Sequence, residues 1–354
     1  MQTLNKFKKI KSDAKLLAEI EKDMMENGGI YRPSDHWLNV DKKYLSLPKN
    51  KNLTNMLDDL IGSQGSRPPT KHDKKIYGDL FKVIDGLNLK DKLGKDSILT
   101  DFGSVMDINL IRIFCGLSSG KSNKILEIGG GYGRLAEVFF NVYKGLNKYV
   151  LVDAVPVSIM YSYLYLRAVL PKAKIGFYLF DEYDLDKYDI FIIPTWHFVA
   201  KNKTNFDIGV NIESFQEMNQ VEVDRYMKIF DSSIDNNGYI YLSNAHDYVF
   251  KGDWNYPASW QCCFRYNTPR SWTINHPTEV YSKNKKDNTE INKTLAYFSD
   301  IESDRKSEVY GIEGHLKSRP QLESEIKELY LIVENRDKRI LELDNELRKL
   351  REDM

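Results

Sequence analysis

Residues 124–139, KILEIGGGYGRLAEVF, gather the residue types best suited to hold a nucleoside-bearing ligand. An apolar, strand-like run leads into Glu127, then Gly129, Gly131 and Gly133, then a helical pattern. Glycine is suited to this turn because the chain must reverse sharply and bring its backbone to the ligand without a Cβ between them. A strand, turn and helix in that order deliver the ligand to the carboxyl edge of a parallel sheet. About twenty residues further on, a second apolar run ends in LVDAVP, which sets Asp153 where it accepts hydrogen bonds from ribose hydroxyls. The turn reads Gly-x-Gly-x-Gly, and Arg134 occupies the place where a dinucleotide-binding turn wants its third glycine for close helix packing. The pattern therefore favours adenosylmethionine, which has no pyrophosphate to cradle, over a nicotinamide or flavin cofactor. The expected chemistry is methyl transfer, with Glu127, Gly129, Gly131, Gly133 and Asp153 as cofactor residues.

Methyl transfer to an alcohol is an in-line displacement by oxygen, and a hydroxyl is a weak nucleophile at neutral pH. A positioned base or an acidifying metal is expected. Candidates must follow the carboxyl ends of strands. Glu213 directly follows the strand-like run at 206–211, and Glu217 comes one turn later, where it also suits the first turn of a helix. His246 follows the run at 238–243 and is the first choice, because an imidazole accepts a proton near pH 7. His197, in PTWHF, is assigned a structural role. Asp207 begins its strand, the wrong end for a metal ligand, and no second carboxylate pairs with Glu213. No metal is expected.

The elements that must position these groups alternate. Strand-like runs at 124–128, 148–152, 190–193, 206–211 and 238–243 are separated by helical patterns at 135–143, 158–170 and 216–230. That alternation predicts an α/β, Rossmann-like domain with a mainly parallel sheet covered on both faces. An amphipathic helix is expected over residues 4–27, stopped by Gly28-Gly29 and serving as part of a helical cap. Its lysines offer a second use, contact with an anionic membrane face. After residue 243 the chain reads as loop-rich and aromatic. There Trp254, Tyr256, Trp260 and Trp272 are candidates to stack on a sugar, while some of them close the core instead. Arg265 or Arg270 would meet a phosphate or uronate.

The motifs EIGGGYGRLAEVFF, LVDAVP with the following MYSYLYL, FDIGVNIESFQEM and GYIYLSNA together resemble the sugar O-methyltransferase family of bacterial surface-polysaccharide loci, over roughly residues 96–282. The resemblance implies a class I adenosylmethionine-dependent enzyme that methylates a sugar hydroxyl during O-antigen or capsule assembly, capping of a chain end included. It says little about the cap or the carboxy-terminal segment.

Lys+Arg and Asp+Glu both number 51, and this balance argues against nucleic-acid binding. The three cysteines, Cys115, Cys262 and Cys263, form neither a disulfide framework nor a Cys-x-x-Cys metal pair, which suits a reducing compartment. The amino terminus lacks the continuous apolar core of a secretory signal, so the expected location is cytoplasmic, with peripheral membrane contact as a variant.

Leu322, Ile326, Leu329, Val333, Arg336, Ile340, Leu343, Leu347 and Leu350 recur in steps of four and three, the seam of a coiled coil. The expected partners are therefore a second or third copy of the chain through residues 322–350 in a parallel dimer or trimer, a glycan acceptor, and a polysaccharide polymerase or glycosyltransferase. The expected organisation is a cap at 1–95, a methyltransferase domain at 96–317 and a coil at 318–354. Two other readings remain: a noncatalytic scaffold that presents the coil, and a nicotinamide-dependent oxidoreductase.

Overall fold

A computed structural model describes residues 13–33, 102–117, 122–143, 147–201, 204–245, 257–267 and 277–284. All of them belong to one compact unit, Met1–Phe298. The coil at 322–350 lies outside the described residues, as do His246, Trp254, Tyr256 and Trp272.

The chain forms α1 (Ala14–Asn27), α2 (Phe102–Phe114), β1 (Lys124–Ile128), α3 (Arg134–Val142), β2 (Lys148–Asp153), α4 (Pro156–Val169) and β3 (Ile175–Phe177). There follow β4 (Ile190–Pro194), α5 (Thr195–Lys201), β5 (Phe206–Ile212), α6 (Gln220–Ser233), β6 (Ile234–Ser243), β7 (Gln261–Asn267) and β8 (Pro277–Ser282). The strands make one sheet in the order β3-β4-β2-β1-β5-β6-β8-β7. Pairing is parallel from β3 through to β6, and β8 is antiparallel to both β6 and β7. Within it, β4-β2-β1-β5-β6 reproduces the 3-2-1-4-5 order of doubly wound folds. The fold is Rossmann-like α/β, as the alternation of elements predicts.

Near-continuous burial explains why the central strands read as apolar runs without alternation. All five residues of β4 are buried, as are five of six in β2. Strands covered on both faces have no solvent side on which to place polar residues. The order reverses at β1, between β2 and β5, so the crevice for a ligand opens at the carboxyl ends of these three strands.

Three expectations are corrected. The helix predicted from residue 216 begins at Gln220, because Asn219 and Glu222 form a reciprocal capping box. Residues Phe215–Glu217 are a separate 3-10 turn. The loop-rich stretch after residue 243 contains β7 and β8, which complete the sheet. The first helix begins, among the described residues, at Ala14, where Asp13 Oδ1 accepts from the backbone N–H groups of Lys15 and Leu16 at 3.1 Å.

Helix α1 buries Leu16, Ile20 and Met24 and packs against α4. Its Asp23 accepts hydrogen bonds from the Trp196 indole (2.8 Å) and the His197 imidazole (2.9 Å) of α5. Burial pushes the Asp23 carboxyl up, but these bonds and that of Asn27 outweigh it and hold the group below the ordinary range. Through these bonds Trp196 and His197 tie α1 to α5. Among the described residues no helix is long and apolar enough to cross a membrane.

Candidate active site

A cavity of about 250 Å³ opens at the predicted edge. Its floor is the turn after β1, its sides are the ends of β2 and β5, and its rim adds two elements the motifs did not name. One is the short segment Ile30–Pro33 just after α1, and the other is the first turns of α6.

Three of the four glycines in the turn, Gly129, Gly131 and Gly133, do different things. All have positive φ: 75° at Gly129, 54° at Gly131 and 91° at Gly133. A Cβ on Gly129 would lie 2.1 Å from the Ser214 hydroxyl oxygen, so this glycine lets the turn after β1 abut the turn after β5. A Cβ on Gly133 would meet Leu166 of α4 at 2.7 Å, so this one permits helix packing. Gly133 is not among the residues that line the cavity. A Cβ on Gly131 would meet nothing within 4 Å, and Gly131 lines the cavity. Gly131 is thus a turn glycine whose missing side chain leaves open space on the cavity.

Asp153, at the end of β2, lines the cavity and also shapes it. Its Oδ2 accepts from the Gly131 N–H at 2.9 Å and its Oδ1 from the Val155 N–H at 2.8 Å. Burial pushes its carboxyl up to about 6, opposed by the backbone N–H groups of Val155, Gly131 and Ala154. Glu127 also lines the cavity, and its Oε2 accepts from the Tyr149 hydroxyl at 2.7 Å. Burial lifts it to about 7, against the lowering effects of the Tyr149 bond and of Arg134.

The segment NIESFQEM proves to be a positioning device. Asn211 donates to the Ile128 carbonyl (2.8 Å), joining β5 to β1. Asn244 Oδ1, from the end of β6, accepts from the N–H groups of Ser214 (2.9 Å) and Phe215 (3.0 Å). Gln216 Oε1 accepts from the Ala245 N–H. Held this way, Glu213 adopts φ 52°, a left-handed conformation that costs a non-glycine residue about 1–2 kcal/mol. Such strain persists only where its surroundings impose it. Glu213 is ion-paired with Arg134 at 2.7 Å, and Glu217 lines the same cavity. The structure thus brings Glu127, Gly129, Gly131, Asp153, Glu213 and Glu217 together.

Trp260 is not part of that lining. Its indole is buried, donates to Asp231 Oδ1 at 2.8 Å, and lies under the Lys283 ammonium at 5.0 Å. That is the core-closing alternative. Arg265 is paired with the buried Glu279 at 3.3 Å. Asp207 accepts from the Lys124 N–H at 2.8 Å, at the opposite edge of the sheet from the cavity. Among the described residues no group of three or more His, Cys, Asp or Glu side chains is placed to hold a metal ion.

The cavity-lining residues that lie outside the quoted motifs are Ile30, Tyr31, Arg32, Pro33, Ser158, Glu222, Arg225 and Tyr226. Their local sequence carries one usable signal, the Gly28-Gly29 stop that turns the chain after α1.

No protein-family model matches the sequence, and no curated protein matches it significantly. Among solved structures, TrmN from Thermus thermophilus aligns at 11% identity over 51% of this chain and 49% of its own, with a TM-score of 0.37. TehB from Haemophilus influenzae aligns at 14% identity over 51% and 62%, TM-score 0.35. The ribosomal protein L11 methylase from Lactobacillus delbrueckii subsp. bulgaricus aligns at 14% identity over 51% and 80%, TM-score 0.34. At these values the likeness carries no argument about activity, and the strand order above is what defines the fold.

Proposed function

We propose that the protein is a class I adenosylmethionine-dependent methyltransferase that acts on a sugar hydroxyl. The observation that carries the cofactor assignment is the Gly131 cradle, open on the cavity and braced by Asp153. The residues present fit the cofactor. Buried carboxylates at Glu127 and Asp153 are suited to ribose hydroxyls and to positive charge, and Arg134 stands where a pyrophosphate-binding turn has its third glycine. Bound there, the cofactor would supply an electrophilic methyl group on a sulfonium. The protein's share is to orient the acceptor oxygen, exclude water and remove the hydroxyl proton. The acceptor class, and its place in O-antigen or capsule assembly, rest on the motifs GGGYGR and NIESFQEM rather than on cavity geometry.

Titration calorimetry tests the cofactor assignment: adenosylmethionine and S-adenosylhomocysteine should bind in the micromolar range, and NADH should not. Saturable NADH binding with no response to adenosylmethionine would overturn it. Mass spectrometry of surface polysaccharide from cells with and without the protein tests the acceptor, with loss of a 14-dalton methyl increment as the expected result.

Binding should also depend on pH. In the ligand-free protein Glu127 sits at about 7 and Asp153 at about 6, both raised by burial. A ligand that donates hydroxyls or brings positive charge to them selects the carboxylate forms and lowers both values. Affinity should therefore rise with pH up to about 7 and level off above. Below these values the loss is at most about tenfold per pH unit per group. In the free protein the sign for stability is opposite. Both groups hold protons more tightly folded than unfolded, so their contribution favours the fold at low pH and is lost as pH rises toward 7. Calorimetry from pH 5.5 to 8 reads the affinity, and a flat or inverted profile would remove these two groups from the ligand's contacts.

The seam at 322–350 is proposed to join two or three copies in a parallel coil, holding catalytic domains side by side and near a polymerase or glycosyltransferase. Removing everything after Arg319 should convert the assembly to monomers in sedimentation velocity. An unchanged sedimentation coefficient per subunit mass would assign oligomerisation elsewhere.

A further inference from the structure

Adenosylmethionine carries two cations, the sulfonium and the ammonium, and one anion, the α-carboxylate. The carboxyl groups lining the cavity apart from Glu213, which is paired with Arg134, are Glu127, Asp153, Glu217 and Glu222, and they offer partners to the cations but none to the anion. The glycines of the turn do not offer one either, since their amides are already engaged. Gly129 and Gly130 N–H donate to the Val152 carbonyl (2.8 and 3.4 Å), Gly131 N–H to Asp153, and Gly133 N–H to the Gly130 carbonyl (2.9 Å). Three guanidinium groups line the cavity. Arg134 is neutralised by Glu213. The other two, Arg32 and Arg225, come from the segment after α1 and from α6.

Each of these two is oriented by a backbone carbonyl: Arg225 Nη1 donates to Ile30 O at 3.1 Å, and Arg32 Nη2 donates to Met25 O. A carbonyl fixes a guanidinium without cancelling its charge. Among the described residues no carboxylate lies within ion-pairing distance of either group. Each guanidinium has five N–H donors in a planar fork that matches a carboxylate. The bond from Arg225 to Ile30 also ties the Ile30–Pro33 segment to α6 across the cavity rim.

We infer that Arg32 and Arg225 form a clamp for the α-carboxylate of the cofactor, so that the segment after α1 is a specificity element for the amino-acid end of the ligand. The inference rests on the cofactor assignment above. The clamp distinguishes adenosylmethionine from adenosine derivatives that lack the amino-acid end.

The test compares two ligands on the full chain by calorimetry: S-adenosylhomocysteine, and 5′-methylthioadenosine, which keeps the nucleoside thioether but has no carboxylate. Arg225→Gln retains an amide donor for the Ile30 carbonyl and loses the charge, and Arg32→Gln is its counterpart. Each should weaken S-adenosylhomocysteine about tenfold or more, the range of a lost charge-assisted bond. Binding of 5′-methylthioadenosine should stay within about twofold, and circular dichroism should match the parent. Unchanged S-adenosylhomocysteine binding in both variants would overturn the clamp and pass the carboxylate to the amides at the start of α3. Equal losses for both ligands would also overturn it, because the segment would then only shape the cavity. If the parent protein binds neither ligand, the cofactor assignment itself has failed, an outcome distinct from normal parental binding with indifferent variants.

Discussion

Gly131→Val should abolish adenosylmethionine binding, by about a hundredfold or more, while the domain stays folded. The backbone there has φ 54°, which a β-branched residue adopts only under strain. The new side chain would point into the open space that now faces the cavity. The damage is confined because the core lies in the sheet and in the helices on its faces, where Leu126, Val150, Ile192 and Val210 are fully buried. The neighbouring glycines act as controls with a different expected result. Gly133→Ala presses on Leu166, and Gly129→Ala on Ser214, so both should lower thermal stability as well as affinity. Calorimetry with a parallel thermal melt separates the cases. Parent-like affinity in a folded Gly131→Val protein would take away the central functional claim.

His246→Ala should lower turnover about 10²–10⁴-fold with cofactor affinity nearly intact, the usual share of a general base. His246 follows Ala245 directly, and the chain up to that point is pinned: Asn244 holds the turn at Ser214 and Phe215, and Gln216 holds the Ala245 N–H. The competing carboxylates differ in their surroundings. Glu213 is strained and ion-paired to Arg134, an arrangement that fixes a negative charge in place rather than freeing a lone pair for a proton. Glu217 sits on a single 3-10 turn at the cavity wall. Glu217→Gln is accordingly the informative companion variant. Normal turnover in His246→Ala together with collapse in Glu217→Gln would move the base to Glu217. Loss of parental activity on adding a chelator would point instead to a metal-assisted route.

How much of this was legible from residues alone follows from which interactions are local. The strand from Lys124 to Ile128, the glycine turn and Asp153 are contiguous or nearly so, and their types follow from backbone geometry that any parallel α/β crossover imposes. The fold class was legible for the same reason, since buried parallel strands are apolar throughout. The strands β7 and β8 were not legible. Their partners are each other and β6, and their residues are mixed in polarity at the sheet's margin. Glu127 was singled out by its place at the end of β1 and lines the cavity, but its partner Tyr149 was not legible, because they meet across adjacent strands.

The sequence by itself determined the doubly wound core, the glycine turn after β1 and the acid at the end of β2, because spacing along one chain specifies them. Only the tertiary structure decided how three of the four turn glycines differ: contact with the β5 turn at Gly129, open space on the cavity at Gly131 and helix packing at Gly133. It also decided that Glu213 is held by Arg134, and that Ile30–Pro33 and Arg225 complete the cavity. Arg225 and Ile30 are 195 residues apart in the chain. No periodicity records such a meeting, since it depends on how α1 and α6 pack around a sheet that forms between them.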